Sequence, residues 1–493
     1  MVIIIINNSP SYSSKFRKIL LIKPNYKTSY DTIHVMNLPP INLTFIASYL
    51  TDLNVKLEII DAKLHNLSNK KLKKKIIKFN PDVVGITVFV SATINICYEI
   101  AKLVKEVNRN CIVVLGGRHP TFKVEEVLKR NEIDIVVRNE GEITFRELII
   151  KGSPREVNGL SYKINRKVIH NPDRTLLNYA SIRIPARFLI NHNKYYMFSS
   201  RVESIETSRG CPFLCKFCTT PIINYGRWRP RPVEKIISEL KLISRNQKIK
   251  DIFLVDDNFA QDTRRIETLC DRIIECKKNN EINDLKFLAQ IRVDSILKSP
   301  QMVKKMAAAG FWVVLIGIET IREDLLLDLK KGFTIKTILK ALEILHQYNI
   351  IAYGNLIIGL DLFQNKGDMK KSINFVKNLD IDIISFSLLT PFPGTPIYQE
   401  LKEEKLIVTE DWSKFTLFNP VIKTYTMDTN DLLEILIHSI KKIGYIRKYK
   451  ILIPRLIKTR GLKFLLNPIR IIALIKSYLK VIIHIRKFKF MNL

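Results

Sequence analysis

The sequence predicts an α/β chain: an N-terminal doubly wound sheet, then an incomplete β/α barrel, then a helical, strongly basic C-terminal region. Three observations predict it. Five short β-branched runs alternate with amphipathic stretches before residue 151, six more strand–helix alternations follow between 202 and 400, and the strand pattern stops beyond that point.

In the first region the runs KILLI (18–22), KLEIID (56–61), VVGIT (83–87), CIVVL (111–115) and IDIVV (133–137) read as buried strands, with helical stretches such as 41–53 and 92–108 between them. Nearly continuous apolar strands separated by helices imply a parallel sheet covered on both faces, whose ligands sit beyond the strands' carboxyl ends. Residues 152–201 are polar and irregular, with Pro172 and Pro185, and read as a linker holding a short β-element. VESIET (202–207), DIFLVDD (251–257), KFLAQIR (286–292), VVLIGIE (313–319), IAYGNLIIG (351–359) and IISFSLL (383–389) then give six strands, each followed by a helical pattern. Such units form a partial barrel with its site on the loops after the strands. The expected division is therefore 1–151, a linker at 152–201, a barrel at 202–400 and a helical region at 401–493.

Lys and Arg outnumber Asp and Glu by 80 to 47, a net charge of +33 over 493 residues. This favours anions, whether nucleic acid, anionic lipid or a phosphorylated substrate, or reflects only a lysine-rich surface. Between 441 and 493 there are 15 Lys or Arg and no acid, interleaved with Ile and Leu. Such a tail lies in a membrane interface or packs as a helical cap on the barrel. Seven unevenly placed cysteines make no disulfide scaffold and point to a reducing, cytoplasmic setting. The opening MVIIIINNSP lacks the basic region of a signal peptide, and no apolar run is long enough to span a bilayer.

The chemistry concentrates in TSRGCPFLCKFCTT, where Cys211, Cys215 and Cys218 are spaced C-x3-C-x2-C at the end of the first barrel strand. Three close thiolates let one loop wrap an iron–sulfur cubane and leave one iron open to a small molecule. Zinc, the rival, asks for a fourth ligand.

With Phe217 before the last cysteine, this spacing resembles the radical S-adenosylmethionine superfamily. FLVDDNFAQD, FLAQIRVD, WVVLIGIET, GNLIIGL and FSLLTPFPGTPIY follow the pattern of its cobalamin-binding subgroup in order. The resemblance implies a [4Fe-4S] cluster whose open iron chelates S-adenosylmethionine, which on one-electron reduction yields a 5′-deoxyadenosyl radical. By position it places Phe217 near the adenine and Asp256, Asp257 and Asn258 near the methionine amino group. Gln290 and Arg292 would reach the methionine carboxylate, Glu319 the ribose, and Gly354 and Gly359 would allow close approach to the adenine. The family's usual Pro and acidic pair after GNLIIGL is replaced by DLFQNKGD, leaving that loop's role open.

LPPINLTFIASYL, GITVFVSAT, VLGGRHPTF and RNEGEITFREL likewise resemble the cobalamin-binding domain that precedes the barrel in this subgroup. Ser91 and Thr93, Gly116 and Gly117, and His119 are the implied cofactor contacts, although a Gly-Gly pair also makes an ordinary tight turn. The Asp-x-His-x-x-Gly motif is absent, so the resemblance implies cobalamin held without a protein histidine on cobalt, or a domain that keeps the fold and has lost the cofactor.

Together these point to cobalamin-dependent radical methylation of a lipid, isoprenoid or tetrapyrrole-like molecule, with a ferredoxin or flavodoxin as electron donor. The alternatives are radical cyclisation, or a methylthiotransferase acting on RNA. The latter relatives carry a second cysteine triad in the N-terminal domain, where this chain has only Cys97 and Cys111.

Overall fold

The computed structural model describes residues 14–26, 36–198, 200–443 and 449–466. The opening MVIIIINNSP and the tail from 467 to 493 lie outside the described residues. Of the described residues, one compact unit holds 14–26, 40–178 and 182–191, and the other holds 36–39, 179–181 and those from 192 to 466.

The first unit is built on one seven-stranded sheet. Strands β1 (Lys18–Lys23), β2 (Lys56–Asp61), β3 (Val83–Thr87), β4 (Ile112–Gly116) and β5 (Ile135–Val137) are the five predicted ones, and all pair in parallel in the order 2-1-3-4-5. Their apolar runs are explained by burial on both sides: every residue of β3 and β5 is buried. Because β1 sits between β2 and β3, the connections leave it on opposite sides, and the carboxyl ends of β1 and β3 flank the crevice where such sheets take ligands. Helices cover the sheet, among them Asn69–Phe79, whose first turn is capped by the Ser68 hydroxyl accepting from Lys71 N.

The stretch expected as a linker belongs largely to this unit. Strands β6 (Leu160–Ile164) and β7 (Lys167–His170) add antiparallel to β5 as a hairpin, and Arg138 fastens the hairpin by donating to Leu160 O at 3.2 Å while pairing with Asp173 at 2.9 Å. A short β-element was expected within this stretch; its half-polar pattern, partly facing water, gave no sign that it joins the first sheet.

The second unit is the barrel. After the short β8 (Tyr196–Met197), β9 (Ser200–Ile205), and the paired two-residue strands β10 (Ser208–Arg209) and β11 (Arg229–Pro230), come β12 (Asp251–Leu254), β13 (Lys286–Ile291), β14 (Phe311–Glu319), β15 (Ile351–Ile358) and β16 (Ile383–Leu388). The order 16-15-14-13-12-9-8 runs parallel from β16 to β9, so the six predicted strands form an open barrel wall. Alternate residues face the helices in one core, for example Ile252 and Leu254, Phe287, Ala289 and Ile291, and Val314, Ile316 and Ile318. Loops end in helix caps: Asp262, Ser299, Thr334, Asn365 and Thr395 each accept a backbone N–H of the helix that follows.

Beyond residue 403 the region expected to be mainly helical begins without a helix. Residues 404–428 run irregularly, with a bridge between Ile407 and Ile422 and one 3-10 turn at Trp412–Lys414, because Asp411, Ser413 and Thr416 tie the backbone into local turns. Helices Thr429–Ile443 and Tyr449–Arg460 follow. The second carries two arginines to acidic residues at the amino-terminal end of the barrel strands. Arg460 makes a two-pronged pair with Asp251 at 2.8 and 2.9 Å and stacks on Trp312 and Phe464, while Arg455 binds Asp382 and Asp380. Of the two expectations for the basic tail, the cap therefore describes this helix. Among the described residues, no helix is long and apolar enough to cross a membrane.

Candidate active site

The cysteine loop leaves the barrel just after β9. Its base is closed by the β10–β11 pair and by the acidic residues that end β12. Asp256, 2% exposed, accepts from Thr207 N at 2.7 Å, from the Thr207 hydroxyl at 2.6 Å and from the Ser208 hydroxyl at 2.5 Å. Burial pushes its carboxyl up to about 6 against the pull of these bonds. Asp257 accepts from Gly210 N, the residue before Cys211, at 3.3 Å and from the Thr220 hydroxyl, two residues after Cys218, at 2.9 Å. It thus braces both ends of the loop. Asn258, 1% exposed, donates to Gln261 at 2.8 Å and its carbonyl accepts from the Trp228 indole. Of these three residues, expected beside the methionine ammonium, Asp256 and Asp257 hold the segments that lead into and out of the cysteine loop. The reason is that the chain turns out of β12 directly beneath Thr207–Gly210, whose N–H and hydroxyl donors meet the carboxylates first.

None of the three cysteines is in a disulfide; Cys215 is buried and Cys211 and Cys218 are half-buried. Burial pushes Cys211 up to about 11, an effect reinforced by its two neighbouring cysteines and opposed by the Phe213 N–H and Arg292. Iron binding displaces the protons of such thiols. Three thiol donors on one loop suit a cubane held at three corners.

Around this loop, strand parity decides which residues face the barrel's concave side. Gln290 is exposed there, one residue off the helix-facing Ala289 and Ile291. Gly354 shares the parity of Ala352 and Leu356, so it faces the helices, and a Cβ on it would meet Ile318 at 2.8 Å and Ile381 at 3.1 Å. Its glycine serves core packing and not approach to a ligand. Gly359, at φ +87°, ends β15 in a conformation that favours glycine. Asn355, the next residue after Gly354, faces the concave side in register with Gly317 and Ser385, making a polar row that motif reading overlooked although its parity was legible.

Glu319 ends β14 at φ +61°, past a register shift, and its carboxylate pairs with Lys331 Nζ at 2.9 Å, the side chains 10% and 7% exposed. Lys331 was missed because it sits in a charge run, KKGF, that reads as solvated surface. Arg292 forms a fork with Asp294 at 3.0 and 3.1 Å and lies against the Phe213 ring. The DLFQNKGD loop takes a structural part: Asp361 binds Arg322 and Phe363 N, and Asn365 caps the next helix.

In the first unit, Ser91, Thr93 and His119 are buried, at 4%, 2% and 1% exposed. Gly117 stands at φ +122°, and a Cβ there would lie 2.3 Å from Val88 O, so this glycine draws the loops after β3 and β4 together. Phe89, which follows β3 beside the crevice, is 73% exposed, a bare aromatic that suits a flat, partly apolar ligand. Burial, with Lys123 nearby, pushes His119 down to about 4, against an ordinary 6.5. Between those values the folded imidazole binds fewer protons than the unfolded one, so its contribution is fully present above pH 6.5 and lost as pH falls to 4. Replacing His119 by Gln should remove about 3 kcal/mol of acid-induced destabilisation from denaturant curves taken between those limits; equal slopes in both proteins would contradict it.

Cys97 and Cys111, both buried, are pushed up to about 12 by burial and lack thiol partners for a second triad.

A sheet ending in a ligand crevice, followed by a barrel whose first loop presents three thiols, is the architecture of a cobalamin-binding radical S-adenosylmethionine enzyme. Residues 35–149 match the B12 binding domain and residues 205–376 the radical SAM superfamily. The chain is 34% identical, over 83% of its length and 88% of the relative, to an uncharacterized methyltransferase of Pyrococcus horikoshii. It therefore belongs to the B12-binding radical SAM family, whose cofactors are a [4Fe-4S] cluster, S-adenosylmethionine and cobalamin. It is also similar to the anaerobic magnesium-protoporphyrin IX monomethyl ester cyclase of Rubrivivax gelatinosus (26% over 85% of this chain, 75% of the relative) and to the hopanoid C-3 methylase of Methylococcus capsulatus (25% over 79% and 73%). Its fold matches that of the cobalamin-dependent radical enzyme OxsB with aqua-cobalamin bound, at a TM-score of 0.71 and 21% identity, covering 92% of this chain and 72% of that one.

Proposed function

We propose that this chain catalyses cobalamin-dependent methylation of an unactivated carbon on a hydrophobic small molecule, lipid- or tetrapyrrole-like. The observation that carries the reading is the pairing, in one chain, of a three-thiol loop at a barrel mouth with an upstream sheet whose switch-point crevice bears the exposed Phe89. Cys211, Cys215 and Cys218 would hold the cluster. The polar residues turned to the concave face, Gln290, Asn355 and Ser385, would orient S-adenosylmethionine, and Phe89 would meet the corrin. When bound, these groups supply a carbon-centred radical and a transferable methyl. The protein's part is to fix the loop, through Asp257, and to line the mouth. Relatives that act on a porphyrin ester and on a hopanoid favour a flat or apolar substrate.

Radical cyclisation is the second reading, supported by the similarity to the magnesium-protoporphyrin cyclase. Anaerobic reconstitution tests both: iron content, cobalamin absorbance and 5′-deoxyadenosine formation should all appear, and label from methyl-labelled S-adenosylmethionine should enter the product only if methylation is right. Protein that binds zinc instead of a cluster would sink the proposal.

An external ferredoxin or flavodoxin would donate the electron in the cytoplasm. The basic tail, 467–493, with six Lys or Arg and no acid, would touch anionic membrane. Flotation with anionic liposomes, compared before and after removal of that tail, tests the contact.

A further inference from the structure

The cysteine loop carries two phenylalanines, Phe213 and Phe217, on either side of Cys215, and each faces a cation. The Arg292 guanidinium lies 3.4 Å from the centre of the Phe213 ring, and the Lys331 ammonium 5.8 Å from that of Phe217. The two cations share a third ring, Phe333, at 5.4 and 5.3 Å, and Arg292 also donates to the Lys331 carbonyl. A carboxylate holds each from behind, Asp294 for Arg292 and Glu319 for Lys331.

Several features mark this as a built arrangement. Removing two charges from water is costly, and a buried ion pair contributes little net stability, so stability alone does not account for the Glu319–Lys331 pair. Accommodating it requires a non-glycine residue at positive φ and a notch at Gly317, where a Cβ would lie 2.4 Å from Glu319 Oε1 and 3.3 Å from Lys331 Nζ. The loop it touches lacks regular structure between β10 and the helix at Thr220–Ile223, and Leu214 on it is 61% exposed. Cation–ring contacts of this kind favour one loop conformation among several of similar energy.

We propose that Arg292 and Lys331, coupled through Phe333, form a two-point cationic clamp that positions the cysteine loop and favours the reduced state of the cluster bound there. Lys331 is a positioning residue in this scheme, acting through Phe217. The electrostatic part follows from orientation: each ion pair sets its cation against a ring of the loop, and Coulomb attraction from that nearer positive end stabilises the electron added to a thiolate-bound cluster. The clamp rests on the reading of the three thiols as cluster ligands.

The test uses full-length protein reconstituted anaerobically as wild type, Lys331→Met, Lys331→Arg and the double variant Glu319→Gln/Lys331→Met, each scored for iron and sulfide and titrated by electron paramagnetic resonance for its midpoint potential. Lys331→Met should retain its iron yet lower the reduced-to-oxidised ratio at a fixed potential at least tenfold, about 59 mV for a one-electron couple. Lys331→Arg, which keeps the charge and the ring contact, should restore the wild-type midpoint. The double variant leaves no lone buried carboxylate, so it decides the matter if Lys331→Met does not fold, and its midpoint should again fall below wild type. A midpoint equal to wild type in either charge-removing variant overturns the clamp. Wild-type protein that acquires no cluster would instead overturn the ligand assignment.

Discussion

Replacing Cys215 by Ala should bring iron content and 5′-deoxyadenosine formation to background together, while leaving cobalamin binding intact. Cys215 is the middle ligand and the most buried of the three thiols, at 9% exposed, and the Cys218 N–H binds its carbonyl at 3.0 Å, so its backbone also shapes the loop. Alanine preserves that backbone contact and removes only the sulfur. Two remaining thiols hold a cubane at two corners, which lets iron dissociate, and with the cluster gone there is no electron to cleave the sulfonium. The B12-binding unit folds around its own core of Leu21, Val83, Phe145 and Leu148, which is why corrin absorbance should persist. Iron assay, electron paramagnetic resonance and chromatography of the nucleoside measure the three properties on one preparation. Iron retained at the wild-type level would refute the ligand assignment.

Replacing Arg460 by Met should destabilise the barrel unit by about 3–5 kcal/mol, the usual loss when one partner of a buried pair is removed. Arg460 and Asp251 are 6% and 2% exposed, and Met fills the space of the arginine stem against Trp312 and Phe464 but leaves the Asp251 carboxylate without its cation at the first residue of β12. Asp251 and the residues just before β16 lie at opposite ends of a run of five strands, and one helix binds both, through Arg460 and through Arg455 to Asp382. The helix is thus a strap across the amino-terminal end of an open wall of strands. Replacing Arg455, one of whose partners, Asp380, is exposed, should cost less. Urea unfolding of the wild type and the two variants checks the order; a loss below 1 kcal/mol for Arg460→Met would show that the strap contributes little.

Much of this molecule was legible before any coordinates. The eleven principal strands came from short β-branched runs: in the first sheet burial on both faces demands apolar residues throughout, and in the barrel alternate residues pack against the helices. The cysteine spacing was equally plain, because the ligands of a loop-bound cluster must lie close in sequence. Less legible was anything that depended on which neighbour a side chain meets first. Asp256 and Asp257 looked like ligand contacts at a strand end, yet Thr207, Ser208, Gly210 and Thr220 supply donors that occupy them. Gly354 looked like a place of close approach, and only the pairing of β15 with β14 showed it turned toward Ile318 in the core.

The sequence by itself determined the two sheets, their succession and the three thiols, because each is written in local spacing: period two along a strand, three or four residues along a loop. Only the tertiary structure decided that Lys331 meets Glu319 and Phe217, that a hairpin read as linker completes the first sheet, and that the basic helix straps the barrel. Those pairings join residues 12 to 209 positions apart, and a contact across such a distance leaves no trace in the local pattern of either partner.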